Sequence, residues 1–339
     1  MKQKILIVSN VPFWGGGENF IAETLSRLSA FFDLRYIVLN EQLYNVLPIT
    51  ERFKFRKQRL WGQFRELLEI KKRENPDLIL FNGGSIFYFM PFISCKKVLY
   101  RHSTDKYAPF LLRWFYKIIM NTVYYFADMT IHVSEYSRRE QRLNKGKSIC
   151  IHNGIKIGPP IVKEKISLPL KIVYCSRLEE SKGIRQIIDA FKQIDKNKVE
   201  LHVLGTGSLD SWVKENASES VKYWGFRKDV DSFYKDSDAM ILMSEYENCP
   251  ISVLEAMSYS LPIITSGAGG IAEQVKDGYN GLVIERSSVA IRKAVFQLVG
   301  NPFMCLSMGK NAFTVCKSDF DISKKVEEIH DILDKVLKA

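Results

Sequence analysis

Short apolar runs alternate with helix-length amphipathic segments along most of the chain. The runs that predict β-strands are, in the first half, residues 4–10, 35–40, 77–82, 97–100, 129–134 and 148–153, and in the second half residues 171–176, 199–205, 238–244 and 261–266. Apolar strands separated by crossover helices are typical of parallel sheets covered on both faces. We therefore predict an α/β protein with two doubly wound sheets, whose ligands bind at the carboxyl ends of the strands.

A segment rich in glycine, proline and lysine, residues 155–167, lies between the two halves and has the composition of a linker. The length of 339 residues is also typical of two domains. We predict one domain over residues 1–158, a second over 159–318, and a C-terminal helix over 319–339 that packs back toward the first domain. Two doubly wound domains that face each other would form a cleft.

The longest apolar stretch, residues 110–129, contains Arg113, Lys117 and Asn121 at helical spacing. A membrane-spanning segment needs roughly 20 nearly uninterrupted apolar residues, so we predict a buried amphipathic helix instead. The N-terminus lacks the apolar core of a signal peptide, and the six cysteines are scattered without a C-x-x-C pair, as expected of free thiols in a reducing compartment. We therefore expect a cytoplasmic protein.

The formal net charge of +11 comes entirely from the first half of the chain. Residues 1–160 carry 25 Lys and Arg against 13 Asp and Glu, whereas residues 161–339 carry 24 against 25. The densest cluster, residues 52–74, interleaves these cations with apolar side chains such as Trp61 and Phe64. This pattern fits an anionic membrane surface best, a solvated helix face next and nucleic acid least, because no nucleic-acid-binding module is visible. We therefore expect a membrane surface as partner, and no nucleic acid.

A glycine-rich turn follows the first predicted strand. The strand ends at Asn10, the run Gly15, Gly16 and Gly17 follows, and a helix begins near Glu18. Glycines allow close approach of the backbone to a bound group, and a helix N-terminus favours an anion. The spacing is not G-x-G-x-x-G, so it does not indicate a nicotinamide cofactor. A tight turn and a cradle for a phosphate or sugar both remain open.

Two cations follow the first strand of the second half. Arg177 comes directly after residues 171–176, and Lys182 lies five positions later beside Gly183. An arginine can bind a diphosphate with two hydrogen bonds, while a lysine acts as a point charge. Ordinary solvation in a loop is the alternative interpretation.

The stretch SEYENCPISVLEAM, residues 244–257, predicts a helix that begins at a proline. Pro250 suits the first helical position, which makes Cys249 the capping residue. The free N–H groups of Ile251 and Ser252 would then bind phosphate oxygens. The two carboxylates of this stretch have separate expected roles. Glu255 suits the two hydroxyls of a ribose, and Glu247 would lie nearer the group beyond the phosphates. Asn248 lies between Glu247 and the helix.

The motifs GGGENF (15–20), SRLEESKG (176–183), the two glutamates eight residues apart and GAGGIAEQVKDGYNGLVI (267–284) together resemble the family 4 retaining glycosyltransferases of the GT-B fold. The resemblance covers essentially the whole chain and is most specific over residues 171–284. It implies two Rossmann-like domains that face each other across a cleft and a nucleoside-diphosphate sugar, UDP- or GDP-linked, as donor.

The resemblance also implies roles for individual residues. Arg177 and Lys182 would hold the donor diphosphate, Glu255 the ribose, and Glu247 would lie by the donor sugar. Backbone at Gly16 and Gly17 would approach the phosphates, and His102, after a strand of the first domain, would line the sugar site. The residues expected to act in catalysis are Glu247, His102, Arg177 and Lys182, and those expected to contact the donor are Gly16, Gly17, Arg177, Lys182, Glu247, Asn248, Cys249, Pro250, Ile251, Ser252 and Glu255.

The chain departs from the family after Glu247, where Asn248, Cys249 and Pro250 replace frequent glycines. Two D-x-D strings, residues 229–231 and 236–238, match a structural stretch of the family, and we expect neither metal nor cofactor.

The expected function is transfer of a sugar, with retention of configuration, to a lipid-linked saccharide in assembly of a bacterial surface polysaccharide (O-antigen or capsule). We expect the protein on the inner face of the cell membrane, as a peripheral enzyme. The alternatives are a sugar-nucleotide epimerase of the same fold and a non-catalytic subunit that binds donor or scaffolds at the membrane.

Overall fold

The computed structural model describes residues 2–48, 51–102, 113–141, 145–161 and 163–339. The chain divides into two compact units, residues 1–154 with 322–339, and residues 155–321. Predicted boundaries at 158 and 318 therefore differ from those in the structure by three to four residues. The reason is a local pairing inside the second unit: the N–H of Ile155 donates to the Phe320 carbonyl at 2.8 Å, so the incoming and outgoing segments run side by side.

The first unit contains, in its described residues, a seven-stranded parallel sheet with strand order β3-β2-β1-β4-β5-β6-β7. The strands are β1 (Lys4–Ser9), β2 (Asp33–Val38), β3 (Arg52–Lys54), β4 (Leu78–Asn82), β5 (Lys96–Arg101), β6 (Met129–His132) and β7 (Ser148–Cys150). The helices are α1 (Gly16–Glu23), α2 (Glu41–Val46), α3 (Leu60–Glu74), α4 (Arg113–Phe126), α5 (Glu135–Glu140) and α13 (Ile322–Lys338), with 3-10 segments at Leu25–Ala30, Ile86–Phe92 and Lys145–Lys147.

The second unit contains, over the residues described between 155 and 321, a six-stranded parallel sheet with strand order β10-β9-β8-β11-β12-β13. The strands are β8 (Leu170–Cys175), β9 (Val199–Leu204), β10 (Val221–Gly225), β11 (Ala239–Leu242), β12 (Ile263–Thr265) and β13 (Gly281–Val283). The helices are α6 (Ile184–Phe191), α7 (Asp210–Glu215), α8 (Val230–Asp236), α9 (Ile251–Ser258), α10 (Ile271–Gln274), α11 (Ser288–Gly300) and α12 (Pro302–Asp319), with a 3-10 turn at Glu180–Lys182.

Both sheets are doubly wound and parallel, which confirms the predicted α/β class with two Rossmann-like domains. All ten predicted strands are present, and three strands were missed: β3, β10 and β13. Each missed strand lies at an edge of its sheet. An edge strand has one neighbour and a half-exposed surface, so it lacks the continuous apolar run that marks a central strand.

Helix α4 is amphipathic but is not fully buried, which corrects the prediction of a buried helix over residues 110–129. Its buried side, with Met120, Val123 and Tyr124, joins the apolar core under the sheet, as expected of an amphipathic helix. Its opposite side, however, exposes large apolar side chains, so the helix is buried on one side only. The apolar residues of this segment are distributed around the whole helix, and a sheet can cover only the side that faces it. None of the helices in the described residues is both long and apolar enough to cross a membrane.

Helix α13 belongs to the first unit. The Lys96 ammonium donates to the carbonyls of Val336 and Leu337 at 2.9 and 2.7 Å, close to the end of the helix. Cations at a helix C-terminus interact favourably with the unpaired carbonyls and the helix dipole. Earlier in the helix, the His330 ring packs on Phe31 with 4.2 Å between ring centroids.

All six cysteines are free thiols. One of them has a histidine neighbour: Cys150 Sγ lies 3.8 Å from His152 Nε2.

Candidate active site

The glycine turn of the first unit leads from β1 into α1. Glu18, in the first turn of α1, is only 3% exposed, and its carboxylate accepts a hydrogen bond from Ser9 Oγ at 3.2 Å. Burial raises the pKa of Glu18 to about 7, and hydrogen bonds from backbone N–H groups and Ser9 partly oppose the shift. The N-terminus of α1 therefore already has a carboxyl group of this chain beside it. Glu18 was not among the predicted site residues.

His102 and Gly17 lie together at the carboxyl ends of β4 and β5. Asn82, the last residue of β4, connects them: its Nδ2 donates to the Gly17 carbonyl at 3.0 Å, and its Oδ1 lies 2.9 Å from His102 Nε2. A Cβ added to Gly17 would lie 3.5 Å from Asn82 Nδ2 and 3.6 Å from His102 Cδ2, an ordinary contact distance. Two predicted site residues are therefore joined by a third that the sequence analysis missed. A polar residue ending an apolar strand, just before Gly83 and Gly84, was the available signal.

The protonation of His102 follows from these contacts. Burial and the nearby Arg101 charge lower the pKa of His102 to about 3, so the ring is neutral at physiological pH. The Asn82 amide nitrogen faces the Gly17 carbonyl, which places the amide oxygen toward the ring. An oxygen acceptor requires a hydrogen on Nε2, so the pattern assigns the Nε2–H tautomer and leaves Nδ1 as the acceptor nitrogen.

Lys182 and Glu247 form an ion pair in the second unit, and both side chains are only 13% exposed. Glu247 also accepts a hydrogen bond from Ser244 Oγ at 2.9 Å. Lys182 ends a 3-10 turn that is followed by Gly183, whose φ is +73°. A Cβ at Gly183 would lie 2.2 Å from the Met243 carbonyl, so glycine allows the turn to pack against the residue after β11. This packing brings Lys182 next to Glu247.

The backbone of Glu247 is held by a second glycine turn. The N–H of Gly270 donates to the Glu247 carbonyl at 2.8 Å. Gly269 has a φ of +67°, and a Cβ there would lie 2.2 Å from the same carbonyl. The GAGG segment, quoted above only as part of a motif, therefore positions Glu247.

Arg177, in the loop after β8, has an exposed side chain. Within the described part of the chain, no ion pair involves its guanidinium, in contrast to the paired Lys182. An exposed, unpaired arginine at the carboxyl end of a strand is available to bind an anion with two hydrogen bonds.

Helix α9 begins one residue later than predicted. Pro250 is the capping residue, with φ −64° and ψ 123°, rather than the first helical residue, and Cys249 precedes the cap. Proline at the cap leaves Ile251 and Ser252 as the first two helical residues, and N–H groups in this first turn have no partner within the helix. Cys249 and Asn248 are buried, at 6% and 8% exposure. The amide of Gln274 donates to Cys249 Sγ at 3.4 Å.

Glu255 accepts a hydrogen bond from the Tyr234 hydroxyl at 3.1 Å. Burial raises the pKa of Glu255, and the Tyr234 hydrogen bond acts in the opposite direction. Tyr234, in α8, is fully buried and was not predicted. A carboxylate held by a tyrosine, with no cation pairing it in the described residues, can accept hydrogen bonds from neighbouring hydroxyls.

These groups share one edge of the second sheet. Arg177 and Lys182 follow β8, Glu247 and the N-terminus of α9 follow β11, and Gly269 follows β12. The three strands are neighbours and parallel, so their carboxyl ends meet at the same edge. This edge therefore combines two cations, unpaired helical N–H groups and two carboxylates, a set suited to a phosphorylated ligand that also carries hydroxyls.

Three of the four D-x-D aspartates form ion pairs with neighbouring cations. Asp229 pairs with Arg227 at 2.7 Å, Asp236 with Lys171 at 2.8 Å, and Asp238 with Lys163 at 2.7 Å.

Comparison with known proteins defines the class. Residues 14–158 match the family described as glycosyltransferase family 4, and residues 162–315 match the glycosyl transferases group 1. Together the matches span both units, and the chain belongs to the group 1 (family 4) glycosyltransferases of the GT-B fold. The predicted family and enzyme class are confirmed.

Three related proteins illustrate the similarity. An uncharacterized glycosyltransferase of Methanocaldococcus jannaschii is 26% identical over 65% of this chain and 64% of its own length. An Escherichia coli UDP-Gal:alpha-D-GlcNAc-diphosphoundecaprenol alpha-1,3-galactosyltransferase is 28% identical over 56% of this chain and 58% of its own length. The chain thus spans less than two thirds of either relative. The crystal structure of Anabaena Alr3699/HepE in complex with UDP superposes with a TM-score of 0.84 at 19% identity, covering 98% of this chain and 100% of that one.

Proposed function

We propose that this glycosyltransferase moves a sugar from a UDP- or GDP-linked donor to a lipid-linked saccharide acceptor, with retention of the anomeric configuration. The observation that carries the proposal is the shared edge of the second sheet, where Arg177, Lys182 and the N-terminus of α9 stand with Glu247 and Glu255. The UDP bound to the structurally similar Anabaena protein supports a nucleotide-sugar donor.

In this proposal the second unit binds the donor. Arg177 and Lys182 bind the diphosphate together with the N–H groups of Ile251 and Ser252. Glu255 accepts hydrogen bonds from the ribose hydroxyls, and Glu247 lies by the sugar. Asn248, Cys249 and Pro250 shape the backbone that approaches the donor. For the first unit, the resemblance assigns donor contacts to Gly16, Gly17 and His102, and that assignment is part of the proposal.

The chemical step moves the sugar between two oxygens. The bond between the sugar C1 and the diphosphate oxygen breaks, and the nucleoside diphosphate leaves with the electron pair. The acceptor oxygen bonds to C1 on the same face, and the departing diphosphate oxygen takes the acceptor proton. Negative charge develops on the diphosphate, so fixed cations and N–H groups stabilise the transition state more than the ground state. The proposal requires no metal or cofactor.

The acceptor is proposed from two observations. The Escherichia coli relative carries in its name a diphosphoundecaprenol-linked acceptor. The first unit also carries the positive excess of the chain, which favours an anionic surface. Both support a peripheral enzyme on the inner face of the cell membrane, acting in surface polysaccharide assembly and contacting lipid through residues 52–74.

Release of nucleoside diphosphate from a panel of UDP- and GDP-sugars, with and without undecaprenyl-diphosphate saccharides, tests the proposal. We expect release from one donor class and an increase when a lipid-linked saccharide is added. Conversion of the sugar nucleotide to an epimer without transfer would support the epimerase alternative. Donor binding without turnover on any acceptor would support the non-catalytic one.

A further inference from the structure

The outer side of α4 exposes a cluster of large apolar side chains. We call this cluster the α4 face, and its members are 40% to 66% exposed: Phe115, Ile118, Ile119, Tyr125 and Phe126. At about 100° of rotation per residue, these five positions fall within an arc of about 120° on one side of the helix. A helix at the surface of a water-soluble domain normally turns its polar side to solvent, so this arrangement indicates a surface with a second environment.

The same helix is firmly packed on its other side. Met120, Val123 and Tyr124 are at most 3% exposed and belong to the apolar core under the sheet. The α4 face therefore cannot turn inward without exposing this core.

Neighbouring elements add aromatic residues to this surface. Helix α4 packs against the 3-10 segment Ile86–Phe92, which also contacts α3. Trp61, on α3, is 67% exposed and packs edge-on against Phe89 of that segment, with 4.9 Å between ring centroids. Phe92, at the end of the segment, is 69% exposed. The two helices and the segment form one layer over the sheet, and each contributes exposed apolar residues to its outer side.

Cations lie beside these apolar residues. On α3 the exposed residues Trp61, Arg65, Leu68 and Lys72 recur at helical spacing and form one stripe in which apolar and basic side chains alternate. On α4, Lys117 is exposed about 80° of rotation away from the edge of the α4 face. A second copy of the chain would meet this surface with the same positive charge, whereas anionic lipid would be attracted to it.

We propose that the α4 face, with Trp61, Leu68 and Phe92, docks into the headgroup region of an anionic bilayer. Helices of this kind lie in the interface plane with their apolar side buried by ~5–10 Å, while Trp and Tyr favour the headgroup level. The proposal refines the contact expected for residues 52–74: Phe55, Phe64 and Leu67 of that stretch are buried in the core, so α3 supplies mainly charge and α4 most of the apolar area. It rests on the proposed function only in that a lipid-linked acceptor gives the docking its purpose.

Vesicle flotation of the full chain tests the apolar part. We expect binding to vesicles of phosphatidylcholine mixed with phosphatidylglycerol, and much weaker binding to phosphatidylcholine alone. The double variant Ile118→Ser/Phe126→Ser should lower the partition coefficient about tenfold or more, because it removes apolar area from the interface. The matched control is Val289→Ser/Phe296→Ser, which changes two similarly exposed residues on α11 of the second unit and should leave binding unchanged.

A second pair of variants tests the charges without touching the apolar residues. Arg65→Gln/Lys72→Gln should weaken binding to the anionic vesicles about 30-fold, since each of the two cations near an anionic surface contributes ~1 kcal/mol. Lys310→Gln/Lys317→Gln, also exposed and seven residues apart on one helix, is the control and should have little effect. Added salt should reduce binding of the wild type.

Three results would overturn the proposal. These are no binding to anionic vesicles, equal losses in the α4 and α11 variants, and a dimer that forms without vesicles and is abolished by Ile118→Ser/Phe126→Ser. Measuring nucleoside diphosphate release in the absence of vesicles distinguishes failure of the docking proposal from failure of the proposed function. An α4 variant that keeps release but loses flotation supports docking, whereas flotation in a protein that releases no nucleoside diphosphate counts against the proposed function alone.

Discussion

Lys182 and Glu247 are 65 residues apart in the chain, yet they form an ion pair at the carboxyl edge of the second sheet. The pair joins the residue proposed to bind the donor diphosphate to the residue proposed to lie by the sugar. Ser244 and Gly270 hold Glu247 independently of Lys182, through its side chain and its carbonyl respectively. Glu247 can therefore keep its position when the Lys182 ammonium turns toward a phosphate.

We expect Lys182→Ala to lower kcat/KM by about 100-fold, because loss of one group that stabilises developing charge typically costs ~3 kcal/mol of barrier. Steady-state release of nucleoside diphosphate measures the effect. Lys310→Ala, an exposed lysine on α12, is the control and should retain wild-type rates. Wild-type turnover in Lys182→Ala would remove Lys182 from the proposed mechanism.

Gly269→Ala should reduce both stability and activity. Its Cβ would lie 2.2 Å from the Glu247 carbonyl, so the turn that positions Glu247 has to move. Gly278→Ala provides a close control, since Gly278 has a similar φ of +71° but no atom within 4 Å of an added Cβ. Both variants carry the backbone strain of a positive φ, roughly 1 kcal/mol or more. Thermal unfolding and turnover together should show a larger loss in Gly269→Ala, and equal losses would contradict the role assigned to this turn.

The His102 tautomer can be measured directly by long-range nitrogen–proton NMR on the free protein. We expect the Nε2–H form and no titration between about pH 5 and 8, because burial lowers the pKa of His102 to about 3. Asn82→Ala removes the acceptor at Nε2 and should produce a mixture of tautomers. The signal is assigned by its loss in His102→Gln. An Nδ1–H ring in the wild type would contradict the hydrogen-bond assignment.

Glu18 predicts a pH dependence of stability. Burial raises its folded pKa to about 7, above the ordinary value of 4.5, so the folded state holds this proton more tightly than the unfolded state. The contribution of this proton to the free energy of unfolding is complete below pH 4.5 and is lost as the pH rises through about 7. Glu18→Gln removes the titration, and its melting temperature relative to wild type should rise between pH 5 and pH 8. A difference that stays constant over this range would contradict the shifted pKa.

The sequence analysis succeeded where a pattern is local. Central strands such as β1 and β4 are short apolar runs, and the shared edge of the second sheet follows from the rule that parallel strands carry ligands at their carboxyl ends. The motif residues Arg177, Lys182, Glu247 and Glu255 lie at that edge because strands β8 and β11 are neighbours.

What the sequence analysis missed depends on contacts between distant segments. Asn82 is an ordinary strand-terminal residue until the fold places it between Gly17 and His102, and Tyr234 is a helix residue until α8 brings it to Glu255. The exposure of α4 was also missed, because periodicity shows that a segment can be a helix but not which of its sides the sheet covers.

Calorimetric titration of UDP and GDP, each compared with its nucleoside, tests most directly the central claim that Arg177, Lys182 and the N-terminus of α9 hold two linked phosphates. The account predicts that the wild type binds one of the two diphosphates and that Arg177→Ala weakens this binding roughly 10- to 100-fold, the range for a hydrogen bond to a charged group, without affecting the nucleoside. Glu255→Ala should weaken nucleoside and nucleoside diphosphate alike. The claim is contradicted if neither diphosphate binds, or if Arg177→Ala leaves the affinity for the diphosphate unchanged.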